Sequence, residues 1–98
     1  MTSRQTDTVF IKGRNVVFRQ IGDESVLVPI ADNVGDLSCI YTLNETGTRI
    51  WELLDGKRDI REIIGVITDE YDISADAARD DVCEFINELV GINFLEKA

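Results

Sequence analysis

Leu43-Asn-Glu-Thr-Gly-Thr-Arg-Ile-Trp-Glu-Leu-Leu-Asp-Gly56 is the stretch around which the rest of the chain is organised. Asn44 suits a helix N-cap, because its short side chain can accept a bond from an otherwise unpaired first-turn amide. The helix it opens carries Gly47, Ile50, Trp51 and Leu54 on one face, at the spacing of an amphipathic helix. Glu45 and Arg49 stand four apart, acid first, the favourable order for a pair along a helix. Asp55-Gly56 closes the helix, with Gly56 suited to the left-handed position beyond its end. A glycine inside a helix costs about 1 kcal/mol against alanine. Gly47 on the buried face therefore implies another backbone passing close by. Directly before the cap, Leu37 to Thr42 reads as a strand, so strand and helix join with almost no loop and the angle between them is fixed.

Upstream, Val16 to Ile21 is rich in β-branched and aromatic residues and reads as a strand. Gly22-Asp23-Glu24 is a turn, and Ser25 to Ile30 a second strand. Pro29 has no amide to donate, so that strand is ending or lies at an edge there. Ala31 to Asp36 reads as a loop. The third strand puts Leu37, Cys39 and Tyr41 on one side and Ser38, Ile40 and Thr42 on the other. Three strands this close in sequence imply an antiparallel meander. Residues 1–15 read as a flexible basic arm, with slight strand character at Thr8 to Lys12, and residues 16–98 as the folded domain.

Downstream, Asp59 and Glu62 form a capping box variant opening a second helix to Tyr71. Its apolar stripe is Ile60, Ile63, Ile64, Ile67 and Tyr71. Ser74 caps a third helix, Ala75 to Val90, ended by Gly91. Ile92 to Leu95 is a final strand or a tail packed on the core. The sum is an α+β, winged-helix-like domain: a three-stranded antiparallel sheet followed by three helices.

Ninety-eight residues hold one small core. No apolar run is long enough to span a membrane, and no signal peptide is visible, so a cytoplasmic chain is expected. The chain has no histidine, which removes Ser-His and Cys-His catalysis. Cys39 and Cys83 alone cannot complete a four-ligand zinc site. No phosphate loop or dinucleotide fingerprint is present. The carboxylate pairs Asp69-Glu70 and Asp80-Asp81 read as solvated faces. Nothing resembles an enzyme site or calls for a cofactor.

The formal charge is −9, yet residues 1–20 carry +3 and the remainder −12. An acidic body repels nucleic acid and acidic membrane, and favours a basic partner. A helix-turn-helix outline raises a second reading, a DNA-binding regulator. The third helix, however, would bring Asp76, Asp80, Asp81, Glu84 and Glu88 to the groove against Arg79 alone. On a 100° wheel, Phe85, Ala78, Leu89 and Val82 make a core stripe, while Ile86, Val90 and Cys83 form a shoulder that contains Arg79. Either the C-terminal segment or the sheet covers this shoulder, or it forms a groove with an open edge of the third strand. In the second case an extended peptide would add to the edge and drop alternate side chains into the groove. A further reading is a dimerisation module, in which the third strand pairs with its copy to give a homodimer.

Leu43-Asn-Glu-Thr-Gly47 with Ile50-Trp-Glu-Leu-Leu-Asp-Gly56 resembles the signature of the PqqD-like family, small peptide chaperones also called precursor-peptide recognition elements. The resemblance covers about Val16 to Leu95. It implies a winged-helix-like adaptor without catalysis of its own. Such an adaptor binds the leader of a ribosomally made precursor peptide and presents it to a modifying enzyme, often a radical SAM enzyme, as in pyrroloquinoline quinone biosynthesis or related pathways. Carried onto this chain, the resemblance implicates Leu37, Ser38, Cys39, Ile40, Tyr41 and Thr42 of the third strand, and Arg79, Cys83, Ile86 and Val90 of the third helix. The chain departs from the quinone-pathway members at Leu54, where they typically have cysteine, and at Gly47, where alanine is common. It looks more like the broader set of stand-alone relatives.

Overall fold

The computed structural model describes residues 7–30 and 40–98. The elements run β1 (Val9–Lys12), β2 (Val16–Ile21), β3 (Glu24–Pro29), β4 (Tyr41–Leu43), α1 (Glu45–Leu53), β5 (Asp55–Asp59), α2 (Ile60–Tyr71), α3 (Ala75–Gly91) and β6 (Leu95–Lys97). The architecture is α+β, as expected, but with two antiparallel three-stranded sheets instead of one, ordered β2-β3-β4 and β5-β1-β6. The first is the expected meander. β2 and β3 pair in register from Val16↔Pro29 to Ile21↔Glu24, and β3 ends at its proline. β4 begins later than expected: Ile40 precedes it, and Leu37, Ser38 and Cys39 lie outside the described residues, as does the Ala31–Asp36 loop.

The second sheet corrects the reading of the N-terminus. Val9–Lys12, placed by the sequence in a flexible arm, is the central strand, flanked by β5 and β6. Gly13 N–H extends the join by donating to Phe94 O at 2.8 Å. The sequence puts Asp55-Gly56 at the end of the first helix and Asp59 at the cap of the second, with no strand between; Asp55–Asp59 is β5. Its Asp55 and Asp59 sit opposite Ile11 and Val9. Gly56 does adopt a left-handed φ of +81°, but inside β5, where a Cβ would come within 3.1 Å of Ile11 Cδ1. Leu54, not Gly56, closes α1. The final strand falls at Leu95–Lys97, after Asn93 has taken the left-handed turn at φ +64°.

The helices form where their caps predict. Asn44 Oδ1 accepts Gly47 N–H at 2.7 Å. Asp59 and Glu62 complete a reciprocal capping box, and Ser74 accepts from Ala77 N–H. The core gathers Ile50 and Trp51 of α1 and its C-cap Leu54, Ile63 and Ile67 of α2, Val82 and Leu89 of α3, and Leu27 and Phe94. Arg49 does not pair with Glu45. It reaches across to α2, donating to both oxygens of Glu70 at 2.8–2.9 Å, and to Glu52. The bidentate bond holds Glu70 below its ordinary carboxylate value. Lys12 ties β1 to the end of α1: its Nζ donates to Leu54 O at 3.2 Å and lies 5.6 Å from the Trp51 ring centroid. Half-burial lowers the Lys12 pKa, with Asp55 and Glu52 opposing the shift.

A central strand and a floppy arm respond differently to a lost amide. Ile11→Pro removes a ladder donor and is expected to cost about 2–4 kcal/mol in urea unfolding. Ile11→Thr keeps the amide and is expected to cost about 1 kcal/mol. Equal, negligible effects would return residues 9–12 to an arm.

Candidate functional site

Leu43 is the last residue of β4 and Glu45 the first of α1, so Asn44 alone makes the junction. Its extended backbone (φ −83°, ψ −176°) finishes the strand while its side chain starts the helix. Pairing to β3 at Ser25↔Leu43, Val26↔Thr42 and Leu27↔Tyr41 fixes the strand's register. Among the described residues β4 has no second strand neighbour and is an edge of its sheet. Tyr41 and Leu43 turn toward α3, while Thr42 is exposed on the other face.

α3 lies alongside this edge. The rings of Tyr41 and Phe85 meet edge to face, with centroids 6.0 Å apart and planes at 72°. The Tyr41 hydroxyl donates to Glu88 Oε1. Between β4, the start of α1 and α3 opens a cleft of about 410 Å³. Leu43, Gly47, Ile50 and Phe85 form its apolar floor, and Asp81, Glu84 and Glu88 its wall on α3. Gly47 earns its place here: a Cβ would lie 3.3 Å from Phe85 Cε1 and 3.1 Å from the capping oxygen of Asn44. The close neighbour is thus an aromatic ring and a cap, and not the passing backbone that the sequence implied. Burial chiefly, then the bond to Glu88, raises the Tyr41 pKa to about 12.

The structure divides the residues singled out by sequence. Tyr41 lines the cleft with its side chain, Thr42 borders it with its side chain on the opposite face of the strand, and Ile40 is exposed just before them. Leu37, Ser38 and Cys39 fall outside the described residues. Ile86 is 2 % exposed and belongs to the core. Arg79, Cys83 and Val90 lie on the flank of α3 away from β4. Asp81, Glu84 and Glu88 sit to one side of Phe85 on the helical wheel, and those three to the other. Arg79 is exposed, 3.4 Å from Asp76, and lines a separate, shallow depression of about 1070 Å³ with residues of α1 and α2. The Cys83 thiol packs against the core, and burial raises its pKa. Of the acids that do line the cleft, Asp81 was read as solvated, and Glu84 and Glu88 were weighed only against DNA; their adjacency to Phe85 on the wheel was the available signal. No group of three or more metal-ligating side chains is found among the described residues. None of their helices is long and apolar enough to cross a membrane.

Residues 24–95 match the model of the family described as coenzyme PQQ synthesis protein D (PqqD). Among solved structures, one similar chain is described as TbiB1 in complex with the TbiA(beta) leader peptide. It is 28 % identical, with a TM-score of 0.71, over 88 % of this chain and 94 % of that one. A second, lasso peptide synthetase B1 complexed with the leader peptide, is 18 % identical with a TM-score of 0.73, over 89 % and 96 %. The second likeness is one of fold. No curated protein matches the chain.

The bond between Tyr41 and Glu88 has an optical signature. A raised phenol pKa means the fold favours the neutral form. That stabilisation holds below pH 10, the ordinary value, and is lost as pH climbs toward about 12. In a Tyr71→Phe background, which leaves Tyr41 the sole tyrosine, absorbance titration should place the midpoint near 12. Glu88→Gln should lower it only part-way toward 10, because burial is the larger cause. A midpoint unmoved by Glu88→Gln would mean the carboxylate does not hold the phenol.

Proposed function

The chain belongs to the PqqD family, and from that premise we propose that it is a non-catalytic adaptor that binds the leader of a ribosomally made precursor peptide. The leader adds as a strand beside β4 and lays alternate side chains into the cleft between β4 and α3. One observation carries this reading: a sheet edge with no strand neighbour among the described residues borders an apolar-floored cleft, in a fold shared with two proteins described in complex with leader peptides. Strand addition supplies main-chain hydrogen bonds that are indifferent to sequence, and the cleft supplies selection. The adaptor then presents the bound peptide to a separate modifying enzyme. The family resemblance implies a radical SAM enzyme as that partner.

The charge of α3 argues against DNA. Asp76, Asp80, Asp81, Glu84 and Glu88 are all exposed, and Arg79 is the helix's one base. Such a face meets phosphate with repulsion instead of counterion release. The same open edge that would take a leader would also permit pairing with a second copy. In that reading peptide and copy compete for β4.

The test is an amide NMR titration with the leader of a precursor peptide encoded near this protein's gene. Saturable shifts are expected on Tyr41 to Leu43 and on Asp81 to Glu88. Tyr41→Ala should weaken binding about tenfold, the order for a central aromatic. Arg79→Ala, on the opposite flank of α3, should leave it unchanged. Binding lost in Arg79→Ala and kept in Tyr41→Ala would move the site to the other flank. Sedimentation giving a tight dimer that the leader does not dissociate would favour self-pairing.

A further inference from the structure

We infer that the segment bound in this cleft carries a lysine or arginine two residues from an apolar side chain, with Glu84 and Glu88 receiving the cation. The inference rests on the peptide-binding reading above and specifies its substrate. In a strand, residues two apart share a face. A peptide paired to β4 therefore turns alternate side chains toward α3, as Tyr41 and Leu43 do from the strand beside it. One such side chain meets the apolar floor at Ile50 and Phe85. Its neighbour on the same face meets the carboxylate wall.

That wall lacks a counter-charge among the described residues. No lysine or arginine of theirs lines the cleft. Neither Asp81 nor Glu84 forms an ion pair among the described residues, where Arg14, Arg49, Arg58, Arg61 and Arg79 engage other acids. Residues 31–39, which lead toward β4, contain no lysine or arginine. Arg79, the one base of α3, lies on its other flank. Glu88 is partly preset: the Tyr41 hydroxyl engages Oε1. Its second oxygen is left for an incoming donor. An open main-chain edge and an apolar floor call for an extended peptide, and the three uncompensated carboxylates state its charge.

The experiment selects random 12-residue peptides displayed on phage against the full chain and sequences the binders. The consensus peptide is then synthesised, together with a version carrying norleucine for its basic residue. Both are titrated into the wild type and into the Glu84→Gln/Glu88→Gln double variant, at low and high salt. Binders should share a base at fixed two-residue spacing from an apolar residue. The norleucine peptide should bind the wild type about fivefold more weakly at low salt, the scale of an exposed ion pair. That gap should close at high salt and in the double variant. Binders that shift β4 amides but carry no shared base, or a norleucine penalty equal in both proteins, overturn the charge inference and leave the adaptor reading standing. Binders that do not touch β4, or no binders at all, overturn both.

Discussion

The cleft exists because no loop separates β4 from α1. Asn44 must be extended for Leu43 to stay paired with Ser25, and its side chain must turn back to accept Gly47 N–H. Both conditions hold at one residue, so the strand leaves the sheet at the angle the helix dictates. A cap is worth about 1 kcal/mol in stability, but its larger effect here is geometric. It aims the edge of β4 along α3 and brings Tyr41 onto Phe85. Gly47 completes the arrangement, since any side chain there would press on the cap and the ring together.

The second sheet holds this arrangement from behind. β1 arrives first in sequence, yet its partners β5 and β6 are made only after α1 and α3. The strand thus ties the end of α1 to the C-terminus. Lys12 marks the seam. Its ammonium satisfies Leu54 O at the carbonyl end of α1, where cations are favoured, and rests near the face of Trp51. Burial opposes keeping that charge, and the nearby acids Asp55 and Glu52 support it. Arg49 makes the corresponding join between α1 and α2 through Glu70. These long-range ties, more than pairs within one helix, fix how the helices sit.

What the sequence disclosed was the local chemistry. The caps at Asn44, Asp59 and Ser74, the stripes of α1 and α2, and the β2–β3 hairpin are each written within a few adjacent residues. Non-local pairing was not. Asp55-Gly-Lys-Arg-Asp59 has no strand propensity and is a strand only because Val9 and Ile11 pair with it. β1 itself spans four residues, too short for periodicity to speak. The flank of α3 was illegible for a related reason. A core stripe of ~100° suffices for a helix packed on one side, but α3 packs against α2 and β6 as well as α1. Its buried arc therefore widens to take in Ile86 and turns Arg79 outward. The wheel gave the angles between residues correctly and could not say which flank faced β4.

Exposed carboxylates at the mouth of a binding cleft contribute little affinity each, because water and salt screen them. That weakness suits an adaptor. On the proposed reading, a leader held mainly by strand pairing and apolar contact must still be released once the enzyme has acted. A deep, desolvated ion pair would raise the cost of release by the full penalty of stranding a charge. Rim charges act earlier, on encounter, by steering a peptide of opposite sign and discouraging one of like sign. The acidity of the whole chain works in the same direction at longer range. In that proposal, selection by charge on approach and retention by backbone hydrogen bonds are separate functions, assigned to α3 and β4 respectively, and each can change without dismantling the other.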